Sequence, residues 1–184
     1  MHPIQIVSVH TAREKRLFLT FPWRIYKNDP LWVPPILPER AKAVDPARGL
    51  FFKDGEAEFF LAWKDGQPAG TLCLAEEKAR TRHKGHAECM FGFVECVDDY
   101  DVFAAMFDHA GRWAGPRGMT ALYGPFNLDR EDSRGILIEG RDRPPALYCA
   151  HHPPYYQAFF ERYGFQKDGD DNVAYAIDID LANP

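Results

Sequence analysis

The chain has 184 residues, 46% of them hydrophobic and 27% charged, which suits one soluble domain built on a single core. A net charge of -5 with no cluster of Lys and Arg argues against a nucleic-acid or anionic-membrane partner. No apolar run approaches a bilayer span, and residues 1–9 are too short and too mixed for a signal peptide, so a cytoplasmic location is expected.

Residues 4–9 alternate apolar and polar side chains and predict a first strand. Thr11 with Glu14 three residues on is a capping-box pattern, and Leu17, Phe18 and Phe21 continue a helical stripe that Pro22 is expected to end. Repeated prolines from Pro22 to Pro35 predict an irregular connection anchored by Trp23, Tyr26 and Trp32, leading to a short helix over residues 36–43. Residues 58–63 and 69–75 read as strands, and Asp65-Gly66 between them supplies the positive φ angles of a tight hairpin turn.

The charged stretch EEKARTRHKGHAE is expected to be a solvated loop or strand end, followed by an interior strand over 90–97. Val102, Phe103, Met106, Phe107, Ala110 and Trp113 recur at helical spacing until Gly115, Pro116 and Gly118 stop them. MTALYGPF predicts another strand, the apolar run 136–138 a small extra hairpin, and Pro154 the start of a helix over YYQAFFERYGF. Phe165 and NVAYAIDID are assigned to the last strands. Cys73, Cys89, Cys96 and Cys149 form no C-x-x-C pair and read as reduced thiols. With 14 Phe, 8 Tyr and 4 Trp, much of the burial is expected to come from rings. This order of elements predicts an α/β fold, a mixed sheet covered by helices, in one domain over residues 1–184.

The hairpin FFLAWKDGQPAGTLCL, the strand and helix from Phe91 to Trp113 and the closing YYQAFFERYGF resemble the GNAT superfamily of acyl-CoA-dependent N-acyltransferases. The pieces FPWRIYKNDPLWVPPI, FGFVECVDD, GPFN, RPPALY and HPPYY resemble, more narrowly, a poorly characterised bacterial branch of it whose members often carry two GNAT-like halves. The resemblance implies a mostly antiparallel central sheet flanked by helices. It also implies acyl transfer from acetyl-CoA or another acyl-CoA to a small-molecule or peptide amine. A unit of this kind stands alone or pairs with itself, as a homodimer, or with another GNAT-like domain.

An active member of the superfamily holds the coenzyme diphosphate on a Gln/Arg-x-x-Gly-x-Gly/Ala turn at a helix N-terminus, where glycines let backbone amides approach. Here the corresponding residues are Val97, Asp98, Asp99, Tyr100 and Asp101, and the aspartates are expected to cap the helix themselves. A carboxylate about 6 Å from a phosphate charge, at an effective dielectric of about 20, repels it by roughly 3 kcal/mol. The helix terminus returns only about 0.3–1 kcal/mol, so weak coenzyme binding is expected. Val97, in this turn, and Asn127, after GPF at a strand end, are the candidate cofactor-binding positions, although an amide such as Asn127 also closes turns.

Glu95, in an otherwise apolar strand, is the candidate general base, since desolvation raises a carboxyl toward the range where it takes a proton from an ammonium. A buried Glu paired with Arg or with backbone donors is the competing reading. The superfamily's general-acid Tyr, four residues before the final Gly-Phe, corresponds to Phe160, which has no proton to give. Tyr156, one helical turn earlier, is the substitute candidate, or else a ring packed under the sheet. Tyr155 with Trp23 and Tyr26 either lines a pocket or packs the fold.

His83, His86 and Cys89, and Cys149 with His151 and His152, carry zinc-type ligands, but their spacings match no closed four-ligand pattern. Solvated loops and no metal are expected there. Two functions are left open: an N-acyltransferase with a degenerate diphosphate turn, and a non-catalytic GNAT-like domain that binds a ligand or another protein.

Overall fold

The computed structural model describes residues 3–129, 132, 134–147 and 149–175. The first strand, β1 (Gln5–Ser8), leads to helix α1 (Ala12–Thr20), whose capping box is complete: Thr11 Oγ1 accepts from the Glu14 amide, and the Glu14 carboxylate accepts from the Thr11 amide. The helix ends at Thr20 with Phe21 as its C-cap, before Pro22 as expected, and Pro22 opens the separate short α2 (Pro22–Ile25), a position where its missing N–H is no loss. Helix α3 (Leu37–Ala43) follows the proline-rich connection.

β2 (Gly55–Lys64) and β3 (Gln67–Glu77) form a long hairpin whose two turn residues, Asp65 and Gly66, both have positive φ, 51° and 73°. The charged stretch expected to be a loop is helix α4 (Lys78–Lys84), closed by left-handed Gly85. It has no apolar face. Its Arg80 and Lys84 instead converge on Glu88, 8% exposed, and the Arg80 guanidinium lies 4.1 Å from the centre of the Tyr123 ring.

β4 (Cys89–Cys96) is followed by helix α5 (Tyr100–Ala114), and β5 is only Leu122–Tyr123, shorter than expected because Gly124-Pro125 ends it. The expected hairpin around 136–138 is not formed; the described residues of this region hold an isolated bridge between Phe126 and Arg134. Helix α6 (Tyr155–Tyr163) ends at left-handed Gly164. Phe165 is not in a strand but packs, half-buried, against the core, and 172–175 carry no strand, while residues 176–180 of the expected last strand lie outside the described residues.

The sheet order is β1-β2-β3-β4-β5, antiparallel throughout except for the parallel β4–β5 pair. One face carries α5 and α6, where Phe103 stands edge-on to Phe160 at 4.9 Å and Phe91 edge-on to Phe107 at 5.1 Å. Such pairs contribute about 0.5–1.5 kcal/mol each beyond area burial. A second cluster, with Phe18, Val44 and Leu61, sits under α1 and has Phe93 packed against it.

One irregularity in β4 organises everything around it. Thr71 stands opposite Glu95 and Cys73 opposite Gly92, so Leu72 alone faces both Phe93 and Val94: a bulge. Phe93 has φ of 47°, a costly conformation for a bulky residue, and side chains grip both of its backbone groups. The buried Thr71 hydroxyl donates to its carbonyl at 2.7 Å, and Asn127 Oδ1 accepts from its amide at 2.7 Å. The bulge reverses the alternation: Cys89 and Phe91 before it, and Val94 and Cys96 after it, join the α5 cluster, which turns Glu95 away from that cluster.

Gly92 lies at the tightest point, where an added Cβ would sit 1.9 Å from the Phe126 carbonyl oxygen. Gly92→Ala is therefore expected to cost at least about 2 kcal/mol, a fall in melting temperature of roughly 5–8 °C by calorimetry. An unchanged melting temperature would mean that β4 and the 126–127 segment are not in such close contact.

Candidate functional site

β4 and β5 pair through Cys89–Leu122 and Met90–Tyr123, the Phe126 amide still donates to the Phe91 carbonyl and Asn127 holds the Phe93 amide, and beyond Phe93 the two segments part. Beyond the parting, the edge of β4 is served by side chains of α6: the Tyr156 hydroxyl accepts from the Cys96 amide at 2.8 Å, and the Tyr155 hydroxyl donates to the Cys96 carbonyl at 2.7 Å. Glu95 lies at this place. Its Oε2 accepts from the Tyr156 hydroxyl at 2.8 Å and from the Tyr26 hydroxyl at 3.0 Å.

Burial pushes the Glu95 carboxyl up to about 7, against the pull of Tyr156, Tyr26 and the Arg40 guanidinium, which favour the charged form. Tyr156, 1% exposed, and Tyr26, 4% exposed, are held well above the usual phenol range by burial and by the Glu95 charge. The Tyr26 hydroxyl also lies 3.1 Å from the His151 carbonyl. It therefore has an acceptor in either state of Glu95. With the carboxylate it donates to Oε2; with the protonated acid it accepts from that oxygen and donates to His151. A carboxyl supplied with partners in both states can gain and lose a proton near neutral pH without rearranging its surroundings.

Next to Tyr26 stands a second pair. Asp29, positioned by its amide on the Tyr26 carbonyl, accepts the Leu31 amide on Oδ1 and lies 2.7 Å from His151 Nε2 through Oδ2. The hydrogen bond to His151 holds the Asp29 carboxyl below the usual range. Trp32 stacks on Tyr26 at 4.9 Å and Trp23 meets Trp32 edge-on at 5.0 Å, so the three expected anchors do pack together.

At the start of α5, Asp99 Oδ1 accepts from the Asp101 and Val102 amides, and its other oxygen pairs with Lys64. One aspartate, not three, makes the cap. Val97 is engaged within the fold, its amide donating to Ala69 and its carbonyl accepting from Asp99. Asn127 holds the Phe93 amide, and Phe160 is in the core, 6% exposed. The Asp101 and Val102 amides and the Lys64 ammonium are thus taken by Asp99, and the backbone groups of Cys96 by Tyr155 and Tyr156. These residues do not fit a diphosphate in this corner.

Among the described residues no group of three or more His, Cys, Asp or Glu side chains is placed to hold a metal ion. His151 is paired with Asp29, while His152 Nδ1 accepts from the Leu137 amide and burial lowers this ring to about 3, leaving it neutral. Two surface cavities, of about 320 Å³ beside Trp113 and Arg117 and about 420 Å³ beside Trp63 and Asp65, lie away from Glu95. Neither the Tyr26 hydrogen bond nor the Asp29–His151 pair was visible from spacing, because residues 26, 29, 95 and 151 are far apart in the chain.

A mixed, mostly antiparallel sheet that splays between β4 and β5 under flanking helices is the GNAT acetyltransferase fold, and solved structures agree. A predicted acetyltransferase of Clostridium acetobutylicum, solved with acetyl-CoA, matches with a TM-score of 0.55 over 95% of this chain and 96% of its own at 10% identity. An aminoglycoside acetyltransferase, meta-AAC0020, from an uncultured soil metagenomic sample and in complex with sisomicin, matches with a TM-score of 0.56 over 96% of each chain at 7% identity. The chain has a GNAT superfamily fold.

In sequence it is similar to the bacterial ceramide synthase of Caulobacter vibrioides, 33% identical over 95% of this chain and 46% of that protein. It is also similar to Protein YghO of Escherichia coli, 32% identical over 83% of this chain and 39% of that protein. The chain spans less than half the length of these curated relatives. No protein-family model matches it.

Two outcomes follow from the site's electrostatics. Asp99→Asn keeps a capping side chain but removes a charge and frees Lys64, so stability is expected to change by less than about 1 kcal/mol while acyl-CoA affinity, by calorimetry, rises roughly tenfold. No gain in affinity would show that something other than charge closes the corner. An unfolded Glu95 releases its proton near 4.5 and the folded one near about 7, so the folded state holds the extra proton between these values. Stability is then lost as pH rises through that window, by up to roughly 3 kcal/mol, and denaturant titrations of Glu95→Gln are expected to show a flatter profile there.

Proposed function

We propose that the chain performs N-acyl transfer, joining the acyl group of a thioester to a primary amine, with Glu95 as the general base. The observation that carries this reading is the Glu95 carboxyl raised to about 7 and held by Tyr26 and Tyr156 where β4 and β5 part. The relative at 33% identity is a ceramide synthase, and a ceramide is the amide of a long-chain amine bearing hydroxyl groups. That supports a long-chain amine as acceptor, rather than the aminoglycoside of the structural neighbour.

In this reading Glu95 takes a proton from the ammonium, and the freed amine attacks the acyl carbonyl. The new C–N bond forms as the C–S bond breaks, the second amine proton goes to the departing thiolate, and Glu95 returns its proton to solvent. Tyr156 has two parts in the proposal. It orients Glu95, and its hydroxyl is the proton donor nearest to the base. Acetyl-CoA or another acyl-CoA is the implied donor, but no step is assigned to its diphosphate, since the α5 corner does not fit it.

A non-catalytic binding domain is the second reading. The Asp99 cap with its Lys64 pair favours it, because the inherited coenzyme corner is closed.

Incubation with a long-chain acyl thioester and a long-chain amine, followed by mass spectrometry of the amide, separates the two. Wild type is expected to make amide with kcat/KM rising through pH about 7, and Glu95→Gln to lose about 10²–10⁴-fold with acceptor binding retained. Amide formation by Glu95→Gln at the wild-type rate would remove Glu95 from the chemistry. Absence of product and of any thermal shift with acyl-CoA would leave the binding-domain reading.

A further inference from the structure

The hydrogen-bond partners of the Glu95 carboxyl, Tyr26 and Tyr156, are neutral phenols. Tyr155 and Cys96, which feel the Glu95 charge, are kept neutral by burial. Farther out, Asp29 acts on Tyr26, and Asp98 and Asp99 act on Cys96. Among the described residues that act on the Glu95 carboxyl itself, Arg40 alone carries a charge near neutral pH, because an arginine keeps its proton throughout.

Arg40 is fixed on the side of the sheet where Glu95 lies. Helix α3 carries it, its two Nη atoms both bind the Asp132 carboxylate, and its guanidinium lies 5.4 Å from the centre of the Phe93 ring. Phe93 packs on the side away from α5, to which the bulge also turns Glu95. Asp132 belongs to the 126–134 segment, whose Asn127 holds the Phe93 amide and whose ends are joined by the Phe126–Arg134 bridge. The segment therefore fastens Phe93 twice, at its backbone directly and at its ring through Arg40. A two-pronged hold of this kind leaves a guanidinium little freedom. The Arg40 and Asp132 side chains are only 23% and 20% exposed, so water screens the cation incompletely. An aliphatic side chain would cover the Phe93 ring without the desolvation cost of a half-buried ion pair, so covering the ring does not account for the charge.

We propose that Arg40, fixed in place by Asp132, is a positioning residue whose charge holds Glu95 ready in the ionised form that accepts a proton. This rests on the N-acyl-transfer reading of Glu95. Burial favours the neutral acid, and the phenols serve the carboxyl in either form, whereas a cation distinguishes the two forms by charge. Asp132 acts the other way and offsets part of the Arg40 charge. The balance leaves the carboxyl at about 7, where both forms are present.

The two partners are expected to move Glu95 in opposite directions. Arg40→Gln raises the midpoint of the pH profile of kcat/KM by roughly 0.5–1 unit, so the rate at about pH 6 falls about 3–10-fold and the deficit narrows above about pH 9. Asp132→Asn, which leaves the cation without its offset, lowers the midpoint. Arg40→Lys keeps the charge and restores most of the wild-type midpoint, although it lacks the planar fork. A residue that only fastened Phe93 would behave differently: both Arg40→Gln and Asp132→Asn would lower the melting temperature, and the rate at every pH alike, with the midpoint unmoved. That result would overturn the proposal. Should Arg40→Gln fail to fold, Asp132→Asn decides by whether its midpoint falls.

A readout without substrates separates the fate of Arg40 from that of the transferase reading. In protein labelled with carbon-13 at the glutamate carboxyls, the Glu95 signal, assigned by its loss in Glu95→Gln, is titrated directly by NMR. Opposite midpoint shifts in Arg40→Gln and Asp132→Asn, with no amide formed from a long-chain acyl thioester and amine, keep the role of Arg40 and remove the transferase reading. Amide formation with an unmoved Glu95 midpoint in both variants does the reverse.

Discussion

Two side chains hold one strained peptide, and the position of Glu95 depends on them. Phe93 is kept at positive φ because Thr71 takes its carbonyl and Asn127 its amide. The extra residue at this bulge shifts the alternation of β4 by one. In a regular strand, Glu95 would share a face with Cys89 and Phe91, against the rings of α5, where a carboxyl has no partner. With the bulge it meets Tyr26 from one side of the sheet and Tyr156 from the splayed edge. A backbone cost of order 1–3 kcal/mol is what it takes to present an acid with a near-neutral titration point.

Fold and site were not equally legible in the sequence. Elements set by local chemistry were: the Thr11–Glu14 box, the Asp65-Gly66 turn and the α5 stripe each need only neighbours in the chain. Helix α4 was hidden because its stabilising contacts are ion pairs to Glu88 and a guanidinium over Tyr123, which leave no apolar periodicity. β5 was read too long because an apolar run says nothing about where a Gly-Pro pair will end the pairing.

At the site, Glu95 was visible as a carboxyl in an apolar strand, and Asp99 as a cap in an acidic corner. What surrounds them was not. The hydroxyl of Tyr26 and the Asp29–His151 pair are brought to β4 by a proline-rich connection of no regular period, so no spacing rule points to them. Asn127 was weighed as ligand contact or turn closure, and its oxygen holds the bulge.

The two phenols on Cys96 carry one more implication, for solubility. A sheet that gapes between neighbouring strands exposes main-chain polar groups, and such an edge is a template on which stray strands assemble. Because Tyr155 and Tyr156 already occupy both polar groups of that residue, an invading chain finds no partner at Cys96. The fold keeps its gap, and the same two rings close one rung of it to a stray strand.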